Sequence, residues 1–292
     1  MKDEIIYFSS ILTNNDTACE KFETKKQATA ILKEAAGLFN SLKDANIPYG
    51  FIKNTGSNIW MRDFMPVKTK SGHVSFQYEP SYNERNTEYN IDNKDPLIGH
   101  LKLPGFMSSE VNLDGGNVVF SPDKSKVIIS NRVFAENQDW DMSELIEELN
   151  TKLDAQVIFI PSDIDDFTGH ADGMVRFIDN DTVVGNDSKD EFEQYISEIL
   201  QRHSIETIPF PCGDMDEKND ADDISAVGCY INYLETEKFI FLPKFCVDDK
   251  KDSEAFARAK EIFESRNKQV EQIYVNEIAK AGGVLNCISW EL

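Results

Sequence analysis

The sequence predicts an α/β chain in which one unit of roughly 50–60 residues recurs five times. Three observations predict it. Strand-type apolar runs and helical apolar stripes interleave from one end to the other. No Pro/Gly/Ser-rich linker divides the chain, so a single domain over residues 1–292 is expected. Unusual polar clusters fall at loop-like ends of strands and at near-regular intervals: Trp60-Met61-Arg62-Asp63, Asp114-Gly115-Gly116-Asn117, Gly169-His170-Ala171-Asp172 and the segment from Gly282-Gly283 to Cys287.

The strand-type runs are Ile5–Phe8, Tyr49–Ile52, Val74–Tyr78, Val127–Ser130, Val157–Ile160, Met174–Ile178, Thr182–Val184, Thr207–Phe210, Phe239–Leu242 and Gln272–Val275. Four apolar stripes at helical spacing lie between some of them. They are Ala28, Ile31, Leu32, Ala35, Leu38, Phe39 and Leu42; Met142, Leu145, Ile146, Leu149 and Leu153; Phe192, Tyr195, Ile196, Ile199 and Leu200; and Ala255, Phe256, Ala259, Ile262 and Phe263. The acidic stretch Asp214–Asp223 reads as a solvated loop, because its start lacks the glycine and oxygen ligands of a calcium loop. Positions 63, 114, 170 and 287 are separated by 51, 56 and 117 residues. Near the midpoint of the last interval lies Gly228-Cys229-Tyr230-Ile231-Asn232. Each recurring unit is therefore expected to bring one polar cluster to a common point, although residue identities do not repeat between units.

Composition narrows the function classes. With 292 residues, 40% hydrophobic and 28% charged, the chain is long and apolar enough to fold on a core of its own. Thirty Lys+Arg against 52 Asp+Glu give a net charge of −22. That sign disfavours nucleic acid and anionic membranes and suits a cationic ligand, although a solvated acidic surface explains it as well. The five cysteines are odd in number, widely spaced and without a C-x-x-C pair, so neither a disulfide framework nor a structural zinc site is expected. The N-terminal apolar run is too short and too acidic for a signal peptide, and no 18-residue apolar stretch exists. The expectation is a cytoplasmic protein.

Each cluster alone has an ordinary structural explanation. His170 and Asp172 lie two apart; in an extended segment they would share one face, yet a hydrogen-bonded structural histidine fits equally. Asp114-Gly115-Gly116-Asn117 could be a tight turn, and Arg62 with Asp63 a buried pair beside a packing tryptophan. Cys287 could be a small core residue. Together they suggest more. Carboxylates present only acceptors, and a guanidinium presents five N–H donors in a planar fork. Two carboxylates flanking that plane would leave its central carbon open to a thiolate, with a histidine as proton carrier. The acids would keep the resting thiol protonated, and the incoming cation would favour its ionisation. A papain-like peptidase is a poor reading, because the cysteine follows the histidine here.

Trp60-x-Arg62-Asp63-x-x-Pro66, Asp114-Gly115-Gly116-Asn117, Gly169-His170-x-Asp172 and the C-terminal Gly-Gly…Cys287 stand in the order found in the agmatine deiminase and bacterial-type peptidylarginine deiminase family. Tyr230-Ile231-Asn232 also resembles that family's fourth-blade segment. The resemblance runs from about residue 49 to the C-terminus. It implies a five-bladed pseudo-symmetric α/β propeller, the pentein fold, and hydrolysis of a guanidinium or amidine with neither metal nor organic cofactor. Carried over by residue, it implies that Cys287 attacks the guanidinium carbon and that His170 protonates the departing ammonia and then activates water. Asp63 and Asp172 would hold the guanidinium nitrogens, and Asp114 would orient the substrate or His170. Trp60, Arg62, Gly115, Gly116, Asn117 and Asn232 would complete the substrate-binding set.

This sequence departs from the family in four places. The family usually carries Glu where Asp114 stands, His where Asn286 stands, Thr-Gln-Gln after the cysteine where Ser289-Trp290-Glu291 stand, and a tryptophan-rich N-terminal opening that is missing here. The resemblance thus carries the chemistry further than the substrate. A small cationic guanidino compound is expected, either an agmatine-like amine or an arginine derivative, peptidyl arginine included. An amidinotransferase of the same fold and a non-catalytic guanidinium-binding relative remain open, as does a homo-oligomer.

Overall fold

The computed structural model describes residues 4–14, 18, 22, 24–53, 55, 56, 58–83, 91, 94–99, 101–187, 191–213 and 225–292. Cys19, His100 and the whole acidic stretch read as a loop (Asp214–Asp223) lie outside the described residues.

Strand-type runs become strands close to where the sequence places them, and they assemble into three-stranded sheets of one design. The first such sheet in chain order joins β1 (Ile6–Ser9), β2 (Tyr49–Ile52) and a third strand from the far end of the chain. Next come β3 (Val67–Lys68), β4 (His73–Gln77) and β5 (Phe106–Asn112), then β6 (Val119–Phe120), β7 (Lys126–Ser130) and β8 (Gln156–Ile160). A fourth sheet holds β9 (Val175–Phe177), β10 (Thr182–Asn186) and β11 (Glu206–Phe210), and a fifth β12 (Leu234–Glu235), β13 (Phe239–Lys244) and β14 (Gln269–Tyr274). The C-terminal strand β15 (Ser289–Glu291) completes the first sheet, antiparallel to β1.

The repeating unit is legible in the pairings. A short strand pairs antiparallel with the next one, as in β3–β4, β6–β7, β9–β10 and β12–β13. A crossover then returns to a parallel neighbour, as in β1–β2, β4–β5, β7–β8 and β13–β14. Parallel strands require such a crossover, usually helical. Helix α1 (Lys25–Asp44) supplies it between β1 and β2, α2 (Met142–Leu153) between β7 and β8, α3 (Glu191–Arg202) between β10 and β11, and α4 (Asp249–Glu264) between β13 and β14. These are the four stripes that the sequence shows. Thr24 caps α1 by accepting from Gln27 N, and Asp141 caps α2 by accepting from Ser143 N and Glu144 N. Burial lapses at two positions of the stripes: Met142, which opens the second, and Tyr195, inside the third, are exposed.

Each polar cluster lies just before the short strand that pairs antiparallel with its neighbour in a sheet. Met61–Phe64, a single helical turn, precedes β3; the 3₁₀ turn Gly115–Asn117 precedes β6; the 3₁₀ turn Ala171–Gly173 precedes β9. Gly228–Asn232 precedes β12, and Val284–Ile288 precedes β15. The recurrence read from the sequence is therefore a recurrence of chain path.

The chain separates into two compact units, one of Met1–Met61 with Phe210–Leu292 and one of Arg62–Pro209. In the second, Val127, Ile129, Leu145, Leu149 and Leu153 form one apolar cluster with Val74 and Val111. In the first, Phe8 and Tyr49 pack on Phe39, with centroids 5.0 and 5.5 Å away. Two acids lie on buried helix faces. Glu34 accepts from the backbone N–H groups of Glu277 and Ile278, and Asp252 accepts from Tyr230 Oη and the amides of Phe245 and Cys246. Among the described residues no helix is long and apolar enough to cross a membrane.

Candidate active site

Within the unit Arg62–Pro209, three turns place an imidazole among three carboxylates. Asp114 is extended (φ −76°, ψ 138°) just before its 3₁₀ turn, and His170 is extended (φ −74°, ψ 143°) just before its own. His170 Nε2 lies 2.7 Å from Asp114 Oδ2, and Nδ1 lies 3.6 Å from Asp63 Oδ1. Both ring nitrogens thus face a carboxylate. Asp172 is buried as well, and its charge acts on both His170 and Asp63. The aspartate at 114 is one methylene shorter than the family's usual glutamate, yet it reaches the imidazole directly.

His170 and Asp172 do not share the face of an extended strand, as the i, i+2 spacing predicts. Asp172 lies inside the 3₁₀ turn Ala171–Gly173, so a helical turn rather than strand pleating brings it near the ring. Gly169 enters this turn with φ +59°, a left-handed conformation that a side chain would strain. At Gly116 the need is close approach. A Cβ there would stand 2.6 Å from Asp63 Oδ1 and 2.6 Å from His170 Nδ1. At Gly115 a Cβ would stand 2.1 Å from the Arg62 carbonyl oxygen. Both glycines, expected to contact substrate, are required by the packing of the cluster itself.

Asn117 was also expected on the substrate, but its amide is committed to backbone. Its Oδ1 accepts from Ser130 N at 2.8 Å and Ala171 N at 3.2 Å, and its Nδ2 donates to Ser130 O at 3.4 Å. It ties the Asp114 turn, the end of β7 and the His170 turn together.

Burial acts strongly on these charges. Desolvation pushes the Asp63 carboxyl up, with Asp114 and Asp172 adding to the rise while the His170 charge and the Gly116 amide oppose it. Burial alone would lower His170, but Asp63, Asp114 and Asp172 outweigh it and raise it above its ordinary value. The imidazole is therefore held as imidazolium at neutral pH. Such a group is an acid first and becomes a base only after it has given up its proton.

The unit containing both chain ends carries the thiol. Cys287 is half-buried in the turn before β15, and both its N–H and its Sγ lie 3.3 Å from Asn232 Oδ1. The backbone donor fixes which end of the amide is oxygen, so Sγ faces an acceptor. A thiol can donate to it; a thiolate cannot. Gly283 brings Trp60 beside the cysteine, because a Cβ there would stand 2.6 Å from the indole ring and 3.1 Å from Cys287 Cβ. The Trp60 backbone N–H is itself held by Asn58 Oδ1 at 2.8 Å. Asn232, expected as a substrate ligand, instead seats the cysteine loop. Cys212, Cys229, Cys246 and Cys287 stand in no disulfide among the described residues.

Two residues near Asp114 are invisible to motif reading. Tyr82 donates from Oη to Asp114 Oδ2 at 2.8 Å. Lys94 donates to the Phe76 carbonyl oxygen, and burial lowers its ammonium to about 7 against the pull of Asp114. Both belong to the crossover between β4 and β5, which has neither strand alternation nor a long helical stripe to mark it.

The Porphyromonas-type peptidyl-arginine deiminase family matches residues 17–292 of this chain. Solved structures of similar fold include an agmatine deiminase from C. jejuni, with a TM-score of 0.75 and 16% identity over 99% of this chain and 93% of that one. An agmatine deiminase from Enterococcus faecalis gives 0.75 and 14% over the same shares. A dimethylarginine dimethylaminohydrolase gives 0.58 and 14% over 99% of each chain. No curated protein matches. At these identities the likenesses show the fold, the five-bladed α/β pentein.

Proposed function

The chain belongs to the Porphyromonas-type peptidyl-arginine deiminase family, hydrolases of the C–N bonds of linear amidines, and we propose that it is a cysteine-dependent deiminase. It converts the guanidinium of an agmatine-like amine or an arginine derivative into a ureido group and releases ammonia. The observation that carries this reading is the imidazole with a carboxylate at each nitrogen. Buried acids outnumber the one buried imidazolium, so the cluster favours a further cation. A guanidinium offers planar donors to such acceptors.

In this mechanism Asp63 and Asp172 hold guanidinium nitrogens. Binding of the cation favours ionisation of the Cys287 thiol, whose proton leaves to solvent. The thiolate attacks the guanidinium carbon, forming a C–S bond and a neutral tetrahedral adduct. His170, already protonated, gives its proton to one amino group; the C–N bond breaks and ammonia leaves, giving a thiouronium on Cys287. The neutral imidazole then takes a proton from water as its oxygen attacks the same carbon. The C–S bond breaks, the departing sulfur takes up the remaining hydroxyl proton, the ureido product departs, and the thiol and imidazolium are restored. Asp114 steadies the imidazole throughout.

A panel of agmatine, free arginine and arginyl peptides tests this, with ammonia and ureido product assayed and Cys287→Ala as control. Ammonia and ureido product in equal amounts from at least one substrate, abolished in the control, support the reading. A newly amidinated acceptor amine identifies a transferase instead. Binding of guanidino compounds without ammonia, unchanged in Cys287→Ala, identifies a non-catalytic binder. The likeness in fold to agmatine deiminases makes agmatine the first substrate to try.

A further inference from the structure

Asp114 Oδ2 accepts two hydrogen bonds. His170 Nε2 is 2.7 Å away, and Tyr82 Oη, donating, is 2.8 Å away. The same phenol ring stands edge-on to the imidazole, with centroids 6.0 Å apart and planes at 65°. Tyr82 therefore touches both members of the pair.

Its own position is fixed from several sides. The Arg132 guanidinium lies 5.1 Å from the ring centroid, and the Phe167 ring packs at 5.1 Å. Arg132 donates from Nε to Glu136, from Nη2 to Ser81 Oγ and from Nη1 to the Phe167 carbonyl. Glu136 in turn accepts from the N–H and the Oγ of Ser81, the residue beside Tyr82. Three side chains thus lock the segment that carries the phenol.

From this geometry we propose that Tyr82 is a positioning residue of the deiminase reaction, which shares Asp114 Oδ2 with His170 Nε2 and so sets how tightly His170 keeps its proton. The inference rests on the function proposed above, but its test does not. A phenol donor stabilises the carboxylate and shares the oxygen that the imidazolium uses. Without it, Asp114 attracts the Nε2 proton more strongly and His170 becomes harder to deprotonate. Burial and Asp114 hold the Tyr82 hydroxyl well above its ordinary range, so it stays a donor at every working pH. The groups facing the pair are Asp63 from the turn Met61–Phe64, Asp172 from the His170 turn, Arg132 over the phenol and Lys94 through its charge on Asp114. Tyr82→Phe leaves all of these in place and keeps the ring between Arg132 and Phe167.

The test is an NMR titration of the His170 ring in substrate-free protein. The chain has only four histidines, and the His170 signal is assigned by its loss in His170→Gln. In Tyr82→Phe the midpoint is expected to rise by roughly half a unit to one unit, a three- to tenfold gain in proton affinity. Where turnover is measurable, the alkaline limb of the kcat profile moves by the same amount, and kcat changes more than KM. An unchanged midpoint in folded Tyr82→Phe overturns the proposal, whatever happens to activity. A raised midpoint in a protein that deiminates no guanidino compound sustains the link from Tyr82 to His170 and refutes the deiminase reading instead. Should Tyr82→Phe fail to fold, Arg132→Lys loosens the seat of the phenol and carries the same measurement. A smaller rise supports the proposal, and no rise overturns it.

Discussion

Gly116→Ala adds one methyl at the tightest point of the acid–imidazole cluster. Gly116 has no left-handed backbone, so alanine is conformationally acceptable there and the cost falls on its neighbours. The new carbon would stand 2.6 Å from both Asp63 Oδ1 and His170 Nδ1. That is nearly 1 Å inside the roughly 3.5 Å of ordinary non-bonded contact. Relief requires the carboxylate or the ring to move by a distance on the order of 1 Å. Overpacking of this kind costs about 1–3 kcal/mol of stability. A misplacement of about 1 Å at a reacting group costs about 100-fold in rate. The assay is ureido-product formation with the best substrate of the panel, read beside a thermal melt. We expect kcat/KM to fall about 100-fold while Tm drops only a few degrees. Gly115→Ala, whose Cβ would meet the Arg62 carbonyl oxygen at 2.1 Å, should instead lose mainly stability. A folded Gly116→Ala enzyme with wild-type kcat/KM would show that the spacing of Asp63 and His170 does not matter to the reaction.

Three further outcomes follow from single contacts. Asn232→Ala removes the acceptor facing the Cys287 thiol, so iodoacetamide should label Cys287 faster in the free variant than in wild type; equal labelling rates would contradict that role. Asn117→Ala strands the buried N–H groups of Ser130 and Ala171, and chemical denaturation should show a loss of about 2–4 kcal/mol; a loss under about 0.5 kcal/mol would refute its part as a tie. Burial raises the Glu34 carboxyl from 4.5 to about 7, so the folded chain holds a proton there that the unfolded chain has released. Glu34 therefore contributes a decline in stability as pH rises from about 4.5 to about 7. Denaturation midpoints across that range should fall less steeply in Glu34→Gln, and an identical slope would contradict it.

Periodicity made the large elements legible. The four long helices and ten of the strands follow from the spacing of their apolar residues. The short strands β3 and β12 have two residues each, too few to show an alternation. β5 escaped because Phe106-Met-Ser-Ser-Glu-Val-Asn is largely polar and Phe106 itself is exposed. Asp63, Asp114 and His170 were legible as residues, since acids and a histidine beside glycines at recurring intervals are unusual in a loop. Their local geometry was not. Asp172 sits in a 3₁₀ turn, and the backbone ties of Asn117 run to residues 13 and 54 positions away, which no local pattern encodes. Glu34 and Asp252 break the apolar stripes they stand in because backbone amides outside their own helices satisfy them.

The central claim is that sulfur, not water, first attacks the guanidinium carbon. It is tested most directly by mixing the protein with its best guanidino substrate, quenching in acid within one turnover and weighing the peptide that contains Cys287. The account expects that peptide to gain the mass of the substrate less one ammonia, and expects the gain to vanish in Cys287→Ala together with ureido product. Ureido product formed at the wild-type rate by Cys287→Ala would contradict it.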